Sequence, residues 1–98
     1  MLERVVGVKV LEGTKLRLEF EDGVEGEITI SELTTLDGVF EPLKDKEHFA
    51  KVRVNRDSGT IEWPNGADID PSILYSEVTG KPIIWEGYGV VYEPNKRL

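Results

Sequence analysis

The sequence predicts a small α+β domain: an antiparallel sheet, made of a three-stranded meander plus a second hairpin, with one or two short helices. Three observations predict it. From Val6 to Ile30 the apolar residues fall on alternate positions in three runs: Val6, Val8, Val10, then Leu16, Leu18, Phe20, then Val24, Gly26, Ile28, Ile30. That is the period of half-buried strands with one face on a core and one in water. Two further short runs, Lys51 to Asn55 and Thr60 to Trp63, flank Arg56-Asp57-Ser58-Gly59 as a hairpin. Between Asp70 and Gly80, an N-cap residue followed by proline opens a segment with helical spacing. Ninety-eight residues fit one domain, burying roughly two thirds of the surface the unfolded chain exposes.

Paired residues must send their side chains to the same face, and this fixes the turns of the meander. Phe20 lies opposite Val24 only if the loop is Glu21-Asp22-Gly23. A two-residue Asp22-Gly23 turn would set Phe20 against Glu25 and bury a charge, so Gly23 is expected in the left-handed position of a bulge. By the same parity, Glu12-Gly13-Thr14 sets Val10 opposite Leu16.

After Ile30 the period changes. Ser31 to Leu36 reads as a short helical turn capped by Ser31 and ended by Asp37-Gly38. Val39, Phe40, Pro42 and Leu43 read as core-covering residues, and Asp45 as the cap of a short helix through Ala50 that buries Phe49. In the second hairpin, parity pairs Val54 with Ile61 and Val52 with Trp63, which places the indole near a strand end on the core face. Pro64 cannot donate to a ladder and Asn65-Gly66 favours a turn, so strand pairing is expected to stop there.

Asp70 then caps a helix with Pro71 at its first position. Ile73, Leu74 and Val78 form its apolar side, and Gly80 and Pro82 end it. The tail from Ile83 to Tyr92, with Trp85, Tyr88 and Tyr92, reads as a last strand, as an arm packed on the body, or as a strand offered to another copy of the chain. The expected organisation is one α+β domain over residues 1–78 and a C-terminal strand or arm over 79–98, in a monomer or a homodimer joined through that arm.

Composition narrows the chemistry. With no cysteine, disulfides, thiolate nucleophiles and cysteine metal sites are excluded. The single histidine, His48, lies in the charged run Lys44 to Phe49 and reads as part of a solvated turn. One imidazole does not make a histidine zinc site. The formal net charge of −7 argues against direct binding to nucleic acid, which needs a concentrated basic face, and favours a basic protein partner. No apolar run reaches the ~18 residues of a membrane span, and Met1-Leu2-Glu3-Arg4 lacks the features of a signal peptide. A cytoplasmic protein is expected, with no membrane association.

Three pieces of the chain resemble, in order, the bacterial domain-of-unknown-function family 2442. They are Val5-Val6-Gly7-Val8 with Leu16-Arg17-Leu18 and Asp22-Gly23; Gly38-Val39-Phe40-Glu41-Pro42-Leu43 followed by Phe49; and Gly59 to Pro71 ending in Leu74-Tyr75. The resemblance covers Val5 to about Tyr75. It implies a small α+β domain without an agreed biochemical activity. It also implies frequent encoding beside another small protein, in pairs proposed to be toxin-antitoxin modules. Longer relatives carry a helix-turn-helix domain after this one. The Trp-, Tyr- and Gly-rich tail here does not resemble such a domain, so autonomous DNA-binding repression is not expected.

Candidate functional residues concentrate between Trp63 and Pro71, where a strand ends, a polar turn forms and a helix begins. Trp63, Asn65 and Asp68 are the candidate partner-binding residues: the indole anchors the turn, and the amide and carboxylate present hydrogen-bonding groups. Glu19, Glu25 and Glu27 would add an acidic face for a basic, neighbour-encoded partner, setting encounter rate and specificity. The alternative is a small enzyme or a ligand- or metal-binding protein using the Asn65 to Asp70 turn. Acid/base work by Asp68 and Asp70 needs one carboxyl with a raised pKa, and the spacing of a calcium loop with its distal Glu is missing. No catalytic residue, metal or cofactor is assigned. The expected function is non-enzymatic protein binding, antitoxin-like in character.

Overall fold

The strands β1 (Val5–Val10), β2 (Lys15–Phe20) and β3 (Glu25–Thr29) form an antiparallel sheet in that order, as the alternation predicts. The structure, a computed structural model, describes residues 3–87 and 89–94. Met1, Leu2, Tyr88 and residues 95–98 lie outside the described residues. Leu16, Leu18 and Phe20 point inward from the central strand and are buried, with Ile28 beside them. Val10 pairs with Leu16 and Leu18 with Gly26, the registers expected from parity.

The second turn of the meander forms as expected. The Phe20 N–H donates to the Val24 carbonyl at 2.8 Å, the Gly23 N–H donates to the Phe20 carbonyl at 2.9 Å, and Gly23 takes φ +92°. The first strand departs from the expectation. Its ladder slips between Val5 and Gly7, so Val6 is an extra residue in a bulge. Val5 is buried in its place and Val6 is 51% exposed. A period-two pattern cannot show where one residue is inserted, because Val5 and Val6 are both apolar.

The short helix after the sheet, α1 (Ile30–Leu33), starts one residue earlier than expected, and Ser31 is not its cap. Thr14 takes that role from the neighbouring hairpin: its hydroxyl accepts the Ser31 N–H at 3.3 Å and its carbonyl accepts the Ile30 N–H at 2.9 Å. Gly38–Lys44 forms a 3₁₀ helix, with Leu43 buried and Val39 exposed rather than core-covering. The expected helix follows as α2 (Lys46–Phe49), where the Asp45 carboxylate accepts the Glu47 N–H at 3.2 Å and Phe49 is buried. His48 on α2 is half-buried, not solvated, and its Nε2 is shielded without a hydrogen-bond partner.

The second hairpin joins β4 (Arg53–Asn55) to β5 (Thr60–Glu62), with Val54 opposite Ile61. The helix α3 (Pro71–Thr79) then starts on the Asp70 cap, whose carboxylate accepts the Ser72 N–H at 2.8 Å. Leu74 fixes it in the core. α3 lies on β3, where Gly26 faces Val78: a Cβ at Gly26 would stand 2.5 Å from Val78 Cγ1. The one small residue in the inward row of β3 therefore lets the helix approach.

The tail, expected as a last strand or an arm on the body, contains two strands. β6 (Ile83–Trp85) and β7 (Gly89–Tyr92) pair as a two-stranded sheet of their own. The Tyr92 hydroxyl ties this hairpin to α3 by donating to Glu77 Oε2 at 2.5 Å. Burial first, then that bond, push the Tyr92 hydroxyl well above the usual tyrosine pKa. Among the described residues, no helix is long and apolar enough to cross a membrane.

Candidate functional site

The run from Trp63 to Pro71 folds by the same local rule as the turn at Gly23. The Trp63 N–H donates to the Ala67 carbonyl and the Gly66 N–H to the Trp63 carbonyl, both at 2.9 Å, with Gly66 at φ +90°. The β4–β5 ladder ends at Glu62, before Pro64, as expected. The chain then turns back, Asp68 makes a single isolated bridge to Glu62, and the Thr60 hydroxyl donates to the Ile69 carbonyl at 2.6 Å. Proline sits at the first turn position after Trp63, where no ladder bond is asked of it.

The three predicted site residues separate. Trp63 is 1% exposed and its indole N–H donates to the Phe49 carbonyl at 3.0 Å; the ring lies 5.8 Å from that of Phe49. The indole therefore anchors the turn from the core side and presents almost no surface of its own. Asn65 is exposed, but both ends of its amide hold backbone: Nδ2 donates to the Val39 carbonyl at 2.8 Å and Oδ1 accepts the Ala67 N–H at 3.4 Å. The amide thus ties the turn to the 3₁₀ helix. Asp70 caps α3. Asp68 alone keeps an exposed carboxylate with no hydrogen bond or ion pair among the described residues.

Asp68 also borders a groove of about 290 Å³. Its lining includes Leu33 from α1, Phe40 from the 3₁₀ helix, Ile69, Ile73 from α3 and Tyr92 from the tail, with Asp70 at the rim and no lysine or arginine among the described residues. The sequence drew attention to the turn and missed the groove, because its walls come from five separate segments.

A family model described as "Protein of unknown function (DUF2442)" matches residues 5–80. The chain belongs to the DUF2442 family. No curated protein and no solved structure matches it. The DUF2442 match runs from β1 to Gly80 at the end of α3, and so takes in the Asp68 turn while stopping short of the tail hairpin that supplies Tyr92.

The sheet face expected to be acidic is mixed in this DUF2442 chain. Arg17 Nη2 lies 2.8 Å from Glu25 and Nη1 3.8 Å from Glu27, with Lys15 4.0 Å from Glu27. Lys9 stands opposite Arg17 on β1. Glu19, Glu25 and Glu27 thus share their face with three cations, and the acidic complementarity predicted there is cancelled by neighbours in the sheet.

Elsewhere, the Asn55 amide and then the Arg53 guanidinium hold the Glu62 carboxyl below its usual pKa. The Tyr75 hydroxyl, donating to Asp22 Oδ2 at 2.5 Å, lowers the Asp22 pKa and has its own raised. These pairs fasten turns and helices. Among the described residues, no group of three or more His, Cys, Asp or Glu side chains is placed to hold a metal ion. What the Asp68 groove can do chemically is accept a cation beside an apolar group.

Proposed function

We propose that this chain is a non-enzymatic protein-binding module, the antitoxin-like member of a two-protein pair. Its Asp68 groove receives a partner segment in which a lysine or arginine adjoins an apolar anchor. The observation that carries this reading is the exposed Asp68 carboxylate on the edge of an apolar groove, with no hydrogen-bond or ion-pair partner and no basic lining residue among the described residues. An apolar anchor with few, well-placed polar contacts is the usual composition of a recognition site. The net charge of −7 would speed encounter with a basic partner. The alternative of an enzyme or ligand site in the turn has less support, since Asn65 and Asp70 are both engaged with backbone.

Affinity capture with the protein encoded by the neighbouring gene tests the proposal. The parent chain should capture it, and Asp68→Lys should weaken the complex about tenfold or more by replacing attraction with repulsion. Glu12→Lys, a charge change of the same size on a distant hairpin tip, should leave capture intact. Absence of capture, or equal capture by parent and Asp68→Lys at matched circular dichroism, would overturn it.

A further inference from the structure

Four arginines lie among the described residues, and they fall into two kinds. Arg17 and Arg53 are held by carboxylates, with Arg53 Nη2 2.6 Å from Glu62. Arg4 and Arg56 have no such partner among the described residues, and both line a groove of about 300 Å³ where β1 meets β4. The rest of the lining is Val5, Val6, Val54 and Glu21. In a chain with 19 acidic and 12 basic residues, two converging guanidiniums left without carboxylates form a local reversal of charge.

The backbone holds both arginines in place. The loop that carries Arg56 is organised by Asn55, whose side-chain oxygen accepts the Asp57 and Ser58 N–H groups at 2.8 and 3.2 Å. The Asn55 amide nitrogen in turn donates to Glu62 at 2.8 Å. The Arg4 guanidinium donates to the Arg56 carbonyl and lies on Gly59, where a Cβ would stand 3.1 Å from its Cζ. Glycine there keeps a slot open for the guanidinium. The β1 backbone is pinned beside it, with the Val5 N–H donating to the Gly59 carbonyl at 2.9 Å and the Glu21 N–H to the Arg4 carbonyl at 2.8 Å. The bulge that buries Val5 turns Val6 out onto the same groove.

We infer that this groove is an anion-binding site that takes a carboxylate or phosphate carried on a short apolar body. Guanidinium forks match the paired oxygens of either group, and Val6 and Val54 give the body an apolar surface. Glu21 on the rim opposes an anion and keeps the affinity modest. The site shares no residue with the Asp68 groove and does not depend on the reading given to that groove.

Nitrogen-15 NMR of the full chain at constant ionic strength tests it, with hexanoate and hexyl phosphate as probes and acetate and inorganic phosphate as their short counterparts. The Nε–Hε signals of Arg4 and Arg56 and the amide of Val6 should shift saturably, while those of Arg17 and Arg53 stay in place. The six-carbon probes should bind several-fold tighter than the short ones, and the tighter of the two identifies the preferred oxyanion. Arg56→Gln, an exposed change, should weaken binding about tenfold, the scale of one lost charge-assisted contact, and Glu21→Gln should strengthen it. Unsaturable shifts spread over all four arginines, or binding unchanged by both Arg56→Gln and Arg4→Gln, would overturn the assignment.

Discussion

Replacing Gly26 by alanine adds one methyl group where α3 rests on the sheet. The new Cβ would stand 2.5 Å from Val78 Cγ1, 3.4 Å from its Cβ and 3.5 Å from its Cγ2. Rotating the valine is costly, because a β-branched side chain in a helix has one strongly preferred rotamer, and the Val78 Cβ and second methyl already stand at contact distance. Overpacking of this kind costs about 1–3 kcal/mol, and removing a glycine from a strand interior returns about 0.5–1 kcal/mol, so the net loss is about 1 kcal/mol. For a domain of this size, that loss lowers Tm by about 4–8 °C.

A double-mutant cycle separates the clash from other effects of the change. Val78→Ala alone removes two methyls from a partly buried side chain and costs about 1 kcal/mol. With Val78 shortened, the methyl at position 26 has room, so the double variant should be more stable than the sum of the single changes by about 1 kcal/mol. Urea titrations followed by tryptophan fluorescence would measure all four proteins, since Trp63 reports on the core. Additivity within about 0.3 kcal/mol, or a Gly26→Ala protein as stable as the parent, would refute the view that helix approach is what requires glycine in β3.

Two other consequences can be measured in the same way. Trp63→Phe removes indole volume from the core and takes the nearer of two donors from the Phe49 carbonyl, which keeps only the Val52 N–H at 3.3 Å; a loss of about 2–4 kcal/mol is expected, and a loss below ~1 kcal/mol would mean the indole is not structural. The Asp22–Tyr75 pair predicts a pH dependence. The Asp22 carboxyl is held below its usual value of 3.8, chiefly by the Tyr75 hydroxyl, so its stabilising contribution is complete above that value and is lost as pH falls through the lower, folded-state pKa. Parent and Tyr75→Phe should therefore differ most in stability between neutral pH and about pH 5 and converge in stronger acid. The Tyr75 pKa is raised, so its contribution is present below the usual tyrosine value and fades as pH rises through the folded-state pKa. A stability difference that does not change from pH 2 to pH 7 would contradict the pairing.

How far the sequence could be read depended on how far apart the interacting groups are. Phe20 to Val24 carries its own turn: parity of the apolar residues, an Asp and a Gly within five positions allow one register without burying a charge. Asp45 and Asp70 cap helices within two residues of themselves, and proline at position 71 is suited to a first turn. Trp63 to Ala67 carries the same turn chemistry as Phe20 to Val24, and the strand ends before Pro64 as that residue suggests. What the local pattern does not show is the single bridge by which Asp68 returns to Glu62.

Asn65 and Asp68 show the same division inside the candidate site. Both are polar, exposed and next to a turn, and no local pattern distinguishes them. The fold brings the Val39 carbonyl to the Asn65 amide across 26 positions of chain and, among the described residues, brings no partner to the Asp68 carboxylate. Glu25 and Glu27 looked like an acidic face until β2 laid Arg17 between them.

The sequence by itself determined the first five strands, the registers across the two turns of the meander, the caps of α2 and α3 and the α+β class, because backbone preferences and side-chain parity act over a few residues. Only the tertiary structure decided that Val5 and not Val6 enters the core, that Gly26 must be small, that Trp63 is structural and that Asp68 borders an apolar groove. Each of those depends on which surfaces meet when separate elements pack, and that contact has no local signature.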